Sequence, residues 1–309
     1  MNNFADDLWG FPSSASPGWE TVDIAVRAKR PGRVPPDGET QVGGVHLPAG
    51  SSIRPEQYEY TSCDGSKGVS ALLPHIGWYS DTDWDSTLVS WVGLARAFSQ
   101  TGLWPVVGGP GNRCAEPRII KRSWPRSRTH NDEAANVLQD CWDGRAVVAR
   151  ETGEPLPENR PPFPGVPVGK ILTNNVEKVP LAGWSNWNPG CASPQAGLLL
   201  VPAMRPADVP QLVGWAGPGN YSLGGHEISA VLRSWEERFG AVLYQLGPTT
   251  LALRVARPPT TLADATVLME EHYLLCVDNF GSQSWEPPIS RDDYAKRLIN
   301  APVWDFWWD

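Results

Sequence analysis

The stretch that decides the fold class is residues 226–256, HEISAVLRSWEERFGAVLYQLGPTTLALRVA. Its first half has apolar residues at the spacing of one helix face, namely Ile228, Val231, Leu232, Trp235 and Phe239. Gly240 suits the left-handed backbone conformation that ends many helices. Two short apolar runs follow on either side of Pro248, and this pattern predicts a β-hairpin. A helix followed directly by antiparallel strands indicates an α+β fold.

The same signals predict further helices and strands on both sides of this stretch. Expected helices cover 83–102, 131–144, 206–215, 261–276 and 290–301, and expected strands cover 103–107, 196–203 and 301–309. Asp83 and Gly102 are suited to start and end the first helix, and Asn131 and Gly144 do the same for the second. We therefore predict a mainly antiparallel or mixed sheet with helices packed on it, in two intimately joined parts.

Composition divides the chain into four segments. These are an irregular arm rich in proline and glycine (1–66), an N-terminal α/β part (67–150), a proline-rich linker with a tryptophan loop (151–190) and a C-terminal domain (191–309). Clusters of proline and glycine interrupt regular structure, so the first and third segments are expected to be irregular. The segment 113–128 holds six basic residues and one acidic residue, and we interpret it as a solvated loop.

Two segments of the chain resemble each other weakly. SWVGLARAFSQTGLWPVV (90–107) and SWEERFGAVLYQL (234–246) both begin with Ser-Trp, continue as a helix, and pass through phenylalanine and glycine into an apolar strand. Two related halves would explain this pattern, and chance similarity between short helices is the alternative.

Charge and cysteine content restrict the function classes. The chain has a formal net charge of −8, which disfavours a general nucleic-acid binder. The five cysteines are scattered without a CxxC pair, as expected for free thiols in a reducing compartment. The sequence begins MNNFADDLWGFPSS, which lacks the pattern of a secretory signal, and no apolar stretch approaches the ~18 residues of a membrane span. These features predict a cytoplasmic protein without membrane contact.

Five blocks in the last ~115 residues carry a family resemblance. They are LVPAMRPADVPQLVGWAG, LRSWEERFGA, ARPPTT, EEHYLLCVDN and APVWDFWWD. In order and spacing they resemble the bacterial DUF4253 family, a domain defined by sequence with no assigned activity. The upstream blocks TGLWPVV and NDEAANVLQDCW are similar to longer members of the family and extend the resemblance to residue 84. Because the family has no established chemistry, the resemblance implies no catalytic residues.

The block EEHYLLCVD contains the strongest candidate for catalysis. His272 and Cys276 are four residues apart on one predicted helix face, and Asp278 follows just beyond the helix end. A cysteine nucleophile needs a base and a group that orients the base, and all three residue types are present. However, Cys276 would lie at the helix C-terminus, where the dipole disfavours a thiolate. The alternative is a buried cysteine beside a partly exposed histidine.

A metal site is a second possibility in the same region. Glu271, His272 and Asp278 could join His226 and Glu227 if the two helices face each other. The chain contains no dense ligand motif such as HExxH. We therefore predict neither a metal nor a cofactor.

Aromatic residues supply the remaining candidates for a binding site. Trp184 and Trp187 lie in a polar loop beside asparagines, which suits recognition of a partner, although packing between the two halves is the alternative. Alternation along the closing segment predicts an ordered strand in the centre of the sheet. Three of its aromatic residues, Trp304, Phe306 and Trp308, are expected on one core face. Asp305 lies among them and needs a partner, for which we predict Arg238.

Two function classes remain open on the sequence alone. The first is a non-catalytic intracellular protein that binds a partner, such as an immunity-type protein that neutralises a basic toxin through an acidic, aromatic surface. The second is an enzyme or small-molecule-binding protein with a cleft between the two halves. That cleft would involve His272, Cys276, Trp235 or Arg238.

Overall fold

The structure is a computed structural model. It describes residues 20–53, 59–61, 67–69, 76–81, 84–108, 130–152, 163, 165–166, 175–181, 197–221, 223–281 and 288–308. Its α helices are α1 (Trp84–Thr101), α2 (His130–Thr152), α3 (Val209–Leu212), α4 (Gly225–Phe239), α5 (Leu262–Leu275) and α6 (Arg291–Leu298). Short 3-10 turns occupy Pro206–Asp208, Gly219–Tyr221 and Val277–Phe280.

The strands of the described residues span both parts of the chain. They are β1 (Thr21–Ala25), β2 (Gly38–Val42), β3 (Val45–Ile53), β4 (Glu59–Thr61), β5 (Lys67–Val69), β6 (Gly77–Ser80), β7 (Leu103–Val107), β8 (Val176–Pro180), β9 (Leu198–Pro202), β10 (Ala241–Leu246), β11 (Thr250–Val255) and β12 (Val303–Trp307). Most of the elements expected from the sequence are therefore present, including the hairpin β10–β11 after α4.

One 8-stranded sheet, in the order β12-β11-β10-β7-β9-β6-β3-β2, organises the described residues. Strands β10 and β7 pair in parallel, and the other neighbouring strands pair antiparallel. Strands β1 and β8 form a separate antiparallel pair, as do β4 and β5. The α+β fold with a mixed sheet is thus confirmed, and the N-terminal and C-terminal strands share one sheet.

The two segments with similar sequences meet at the centre of this sheet. Helix α1 leads into β7, helix α4 leads into β10, and Val107 of β7 pairs with Gln245 of β10. The helices end at Gly102 and Gly240, whose φ angles of 64° and 61° are left-handed as a glycine C-cap requires. A common origin of the two units stays a prediction.

Buried tryptophans hold the two parts of the chain together. Trp104 of β7 donates its indole N–H to the carbonyl of Leu243 in β10 at 2.8 Å. Trp91 of α1 donates to the carbonyl of Pro105 at 2.9 Å and packs edge-on against Trp104. Each of these indoles buries a large apolar area and satisfies its donor inside the core.

Three expectations about irregular regions were wrong. The arm 1–66 contains β1, β2, β3 and β4. Gly43 and Gly44 both have positive φ angles (56° and 84°) and form the tight turn of the β2–β3 hairpin. The linker 151–190 contains β8, which pairs with β1. Helix α2 continues through Gly144 to Thr152, since a glycine inside a helix costs only about 1 kcal/mol.

The closing strand is ordered, but the prediction of its position was wrong. Strand β12 lies at the edge of the sheet and pairs with β11 alone among the described strands. Trp304, Phe306 and Trp308 are buried as predicted, with exposures of 2%, 0% and 1%. Burial of both faces follows from helices and loops that pack around an edge strand, and alternation along the sequence cannot distinguish this arrangement from a central strand.

Among the residues that the structure describes, no helix combines the length and the apolar character that a membrane crossing requires.

Candidate functional site

A buried carboxylate, Glu271 of α5, organises the contact between α5 and α4. Arg238 donates to it with both terminal nitrogens, one of them at 2.8 Å, and Trp235 donates its indole N–H at 2.8 Å. The Nε of Arg238 also donates to Ser234 Oγ at 3.0 Å, and Ser234 in turn donates to Asn131 of α2 at 2.7 Å. Trp235 and Arg238 therefore have their partners inside the protein and present almost no surface to solvent.

His272 follows Glu271 and lies among aromatic rings. Its ring centre is 4.8 Å from Trp235, 5.0 Å from Trp304 and 4.8 Å from Phe306. Nδ1 lies 3.2 Å from the hydroxyl of Tyr294, while Nε2 is buried without a hydrogen-bond partner. Burial and the nearby guanidinium of Arg238 lower the pKa of His272 to about 3. The imidazole is therefore neutral at physiological pH and sealed from solvent.

Cys276 has no exposed surface. Its thiol donates to the backbone carbonyl of Trp307 at 2.9 Å and lies 3.4 Å from Asn279 Oδ1. Burial raises the pKa of Cys276, so the thiol stays protonated. Asp278, the third candidate, accepts a hydrogen bond from the hydroxyl of Tyr221 at 2.6 Å. His272, Cys276 and Asp278 thus have different partners, and the geometry does not assemble a nucleophile, a base and an orienting group.

Asn279 closes the outer edge of β12, a role that sequence reasoning missed. Its amide nitrogen donates to the carbonyl of Asp305 at 2.7 Å, and its amide oxygen accepts from the backbone N–H of Trp307 at 3.1 Å. The side chain therefore occupies the place of a neighbouring strand's backbone, and Cys276 satisfies the next carbonyl. An exposed strand edge invites pairing with other chains, and these two side chains block it.

Replacing Asn279 by alanine is expected to destabilise the protein by about 2–3 kcal/mol, because two backbone groups of β12 lose their partners. Urea unfolding measures this change, and faster amide hydrogen exchange at Trp307 should accompany it. N279D is the matched variant, since a carboxylate keeps the acceptor for Trp307 N–H and loses the donor to Asp305. A change below roughly 0.5 kcal/mol in N279A would contradict the role in edge closure.

The prediction that Arg238 pairs with Asp305 was wrong. Ala252 pairs with Asp305 across β11 and β12, whereas Leu253 pairs with Trp304. Since directly paired residues share a sheet face, Asp305 lies on the face opposite to Trp304, which contacts Trp235 on α4. Asp305 therefore projects away from α4 and cannot reach Arg238.

The charged residue near Asp305 is Arg254 of β11. Arg254 is fully buried, donates to the carbonyl of Pro180 at 2.9 Å and lies 4.5 Å above the ring of Tyr244. Burial raises the pKa of Asp305 to about 7, and the positive charge of Arg254 opposes part of that rise. Alternation along the strand TLALRVA places Arg254 on the same face as Ala252, which pairs with Asp305. The sequence therefore contained a signal that Arg254 and Asp305 lie on one face of the sheet.

Replacing Asp305 by asparagine is expected to change the pH dependence of stability. The pKa of Asp305 is raised from 3.8 to about 7 in the folded protein, so the folded state holds this proton more tightly than the unfolded chain. The stability contributed by this group is therefore complete below about pH 4 and is lost as the pH rises through about 7. A rise of this size corresponds to about 4 kcal/mol, which partial exposure reduces to roughly 2 kcal/mol.

In urea unfolding, D305N should match the unsubstituted protein near pH ~4 and be more stable near pH ~8. The exposed Asp292 supplies the control, and D292N should leave the shape of the profile unchanged. Parallel profiles for D305N and the unsubstituted protein would exclude a raised pKa at Asp305.

A pocket of about 290 Å³ lies beside Glu271, between α5 and a short segment that precedes the C-terminal domain. It is lined by Phe163, Gly165, Val166, Thr266, Val267, Glu270 and Glu271. Four residues were expected in a cleft between the halves. Two of them, Trp235 and Arg238, are not among the described lining residues but donate hydrogen bonds to Glu271, which is. His272 and Cys276 are not among its described lining residues.

Two candidate regions lie outside the described residues. These are the loop that holds Trp184 and Trp187, and the basic segment 113–128. Within the described ranges, no group of three or more histidine, cysteine, aspartate or glutamate side chains could hold a metal ion. Glu271, proposed as one ligand, is bonded to Arg238 and Trp235, and Glu227 accepts from the backbone N–H of Gly224 at 3.0 Å.

The residues that organise these contacts also belong to a sequence family. Residues 197–309 match the family model described as Domain of unknown function (DUF4253). The C-terminal part of this chain is a DUF4253 domain. Comparison with curated proteins and with solved structures found no match.

The blocks that carry the resemblance to the DUF4253 family contact one another in the structure. In the block LRSWEERFGA, Trp235 and Arg238 donate hydrogen bonds to Glu271 of the block EEHYLLCVDN. Cys276 and Asn279 of the latter block hydrogen-bond to the backbone of Trp307 in APVWDFWWD. Three of the five blocks thus form one buried network. Their residue choices are explained by packing and hydrogen bonding within the domain.

The DUF4253 domain does not form a continuous sheet by itself. Its first strand, β9, lies between β7 and β6, and β7 separates β9 from β10. An ion pair adds to the junction with the preceding chain, since Arg27 contacts the buried carboxylate of Glu236, which Arg205 of the domain also contacts at 3.0 Å. The DUF4253 domain and the chain before it therefore share one core.

Proposed function

We propose that this protein is a non-catalytic binding protein of the bacterial cytoplasm that holds a basic protein partner, in the manner of an immunity protein that neutralises a toxin. The observation that carries the proposal is the placement of the most reactive pair in the DUF4253 domain. The Cys276 thiol is protonated, buried and bonded to Trp307, and His272 is neutral and enclosed by aromatic rings. A nucleophile or base in either position has no access to a substrate.

Net charge supports a basic partner. Residues 197–309 contain 8 lysines and arginines against 13 aspartates and glutamates, and the full chain has a net charge of −8. An acidic protein attracts basic partners over a distance of about one Debye length, which raises the association rate more than the final affinity. A toxin-neutralising protein gains from fast association, because free toxin acts until it is captured.

The test begins with the full-length protein as bait in its native host, followed by mass spectrometry. The partner found is then purified, and its association rate is measured at several salt concentrations. We expect a basic protein whose association slows as salt rises, and C276A should bind it as well as the unsubstituted chain. Turnover of a substrate by the purified protein, abolished by C276A, would refute the proposal, as would an acidic partner with salt-independent association.

The second candidate, an enzyme or small-molecule-binding protein with a cleft between the halves, is favoured by one observation. The pocket beside Glu271 is lined both by Phe163, Gly165 and Val166, which precede the DUF4253 domain, and by α5 within it. Gene neighbourhood separates the two candidates, since an adjacent toxin gene favours the immunity type and a biosynthetic cluster favours the cleft. Incubation of the protein with host metabolites, read by mass spectrometry, tests the cleft directly.

A further inference from the structure

The sheet face that lies away from α4 is partly open to solvent over strands β10, β11 and β12. Asp305 and Trp307 of β12 point to this face and are partly exposed, whereas their neighbours on the α4 side are buried. Pairing across the strands adds three residues, because directly paired residues share a face. We call the resulting group the polar face, and its members are Gln245, Thr250, Ala252, Asp305 and Trp307.

Two polar side chains of the polar face lack hydrogen-bond partners among the described residues. The carboxyl group of Asp305 has the charge of Arg254 nearby but accepts no hydrogen bond from a described residue. The amide oxygen of Gln245 is buried and has no partner. Buried polar groups in proteins are usually hydrogen-bonded, so these two groups reduce the stability of the fold. A polar group that burdens the fold in this way is expected where it serves a ligand.

Ala252 leaves a gap between these two groups. Neighbouring strands are about 4.8 Å apart, so the backbones that carry Gln245 and Asp305 are separated by about 10 Å. The small side chain of Ala252 lies between them and is 1% exposed. Gln245 is partly exposed, and its amide oxygen can turn toward the gap without losing a hydrogen bond. The gap therefore offers an amide and a carboxyl group on its two sides.

Charge and aromatic surface indicate a neutral ligand. The guanidinium of Arg254 near Asp305 repels a cation, and the carboxylate of Asp305 repels an anion. An apolar ligand would remove water from the carboxylate without replacing its hydrogen bonds. Sugar hydroxyl groups donate to such acceptors, and the C–H surface of a sugar ring packs on an aromatic ring, which Trp307 supplies.

We propose that the polar face binds a neutral sugar, with hydroxyl groups bonded to Asp305 and Gln245 and the sugar ring packed on Trp307. This site goes beyond the proposed function, because it requires no protein partner. Its residues are also not among the described lining residues of the pocket beside Glu271.

The first experiment titrates the full-length protein with glucose, galactose and mannose near pH ~8, where Asp305 with its pKa of about 7 is a carboxylate. The ¹H–¹⁵N spectrum follows the indole signal of Trp307 and the side-chain amide signal of Gln245. We expect saturable shifts of both signals with at least one sugar, at a Kd on the order of 1–10 mM. The indole signal of Trp235, which is bonded to Glu271, is the internal control and should not move.

Charged analogues test the preference for a neutral ligand. The amino sugar and the uronic acid derived from the sugar that binds should each bind about threefold to tenfold more weakly than that sugar. Tighter binding of either charged analogue would overturn the proposal. The absence of saturable shifts at Trp307 and Gln245 with all three neutral sugars would overturn it as well.

Variants separate a ligand contact from a structural role. Q245L should weaken sugar binding roughly threefold to tenfold and D305N about tenfold or more. Both variants should unfold near pH ~8 at the same urea concentration as the unsubstituted protein or at a higher one, because neither group has a hydrogen bond to lose. Q139L is the matched control, since Gln139 lies on α2 and bonds to Asp143, and it should keep the affinity within about twofold.

The outcome for these variants decides the assignment. Loss of sugar binding with stability retained supports the polar face as the site. If Q245L and D305N bind the sugar as the unsubstituted protein does, the assignment is overturned. If they lose affinity only together with stability, the two groups are structural and the assignment is overturned as well.

Discussion

Residues 197–309 expressed without the rest of the chain are expected not to fold, although they span the whole DUF4253 match. Strand β9 lies between β7 and β6, and the inner edge of β10 pairs with β7. Both β6 and β7 precede residue 197 and are therefore missing from the fragment. Removal of β7 also takes away Trp104, whose indole bonds to Leu243 in the core. The fragment would thus expose three strand edges, both of β9 and the inner one of β10, and a large apolar surface, which together favour aggregation.

The measurement is the ¹H–¹⁵N spectrum and the thermal unfolding curve of the fragment. We expect poor chemical-shift dispersion and no cooperative transition, compared with a single sharp transition for the full chain. Co-expression with residues 1–196 is the matched control, because it restores β6 and β7 while keeping the same break in the chain. A fragment 197–309 that unfolds cooperatively on its own would show that the domain does not need the upstream strands.

Local sequence patterns predicted the helices and strands of this protein better than they predicted which strands lie next to each other in the sheet. The helical spacing before Gly240 and the two apolar runs around Pro248 specified α4, β10 and β11, because burial on one face imposes a period on the sequence. No such local rule exists for strand order. The segment 301–309 is apolar on both faces, and the sequence could not show that helices and the Asn279 side chain cover an edge strand there.

Composition was a weaker guide than pattern in the N-terminal region. Proline and glycine suggested an irregular arm over 1–66, but the pair Gly43–Gly44 was the turn of a hairpin and not part of a loop. Gly144 was expected to end α2, but the helix continues past it, and the next residue, Arg145, donates to the backbone carbonyls of Tyr273 and Leu274 at the end of α5. In both cases the meaning of a glycine depended on its flanking residues and tertiary contacts.

The sequence indicated which elements carry the candidate residues better than it indicated their partners. Arg238 and His272 lie in the helices expected for them and Cys276 follows the last residue of α5, yet the sequence could not reveal that Glu271 joins Arg238 to Trp235. It also assigned Asp305 to Arg238, which lies across the sheet from it. Side-chain partners between distant elements depend on sheet face and helix rotation, and both of these follow from the tertiary fold.

The pair of Arg238 and Glu271 is expected to show the largest single-site effect in the DUF4253 domain. R238A leaves a carboxylate buried without its cation, and breaking a buried pair in this way costs about 3–5 kcal/mol. The neighbouring pair of Arg291 and Glu270 is the matched control. Its side chains are 47% and 28% exposed, so R291A should cost below about 1 kcal/mol. Urea unfolding of the two variants measures the difference.

A double substitution tests whether the loss comes from the unpaired charge. R238M together with E271L replaces both partners by apolar side chains of similar length, and we expect it to cost less than R238A alone, because no buried charge remains. The indole N–H of Trp235 also loses its acceptor in this variant, a cost of about 1–3 kcal/mol that W235F in the same background removes. An R238A variant as stable as R291A would show that solvent reaches Glu271, and it would contradict the burial of this pair between α4 and α5.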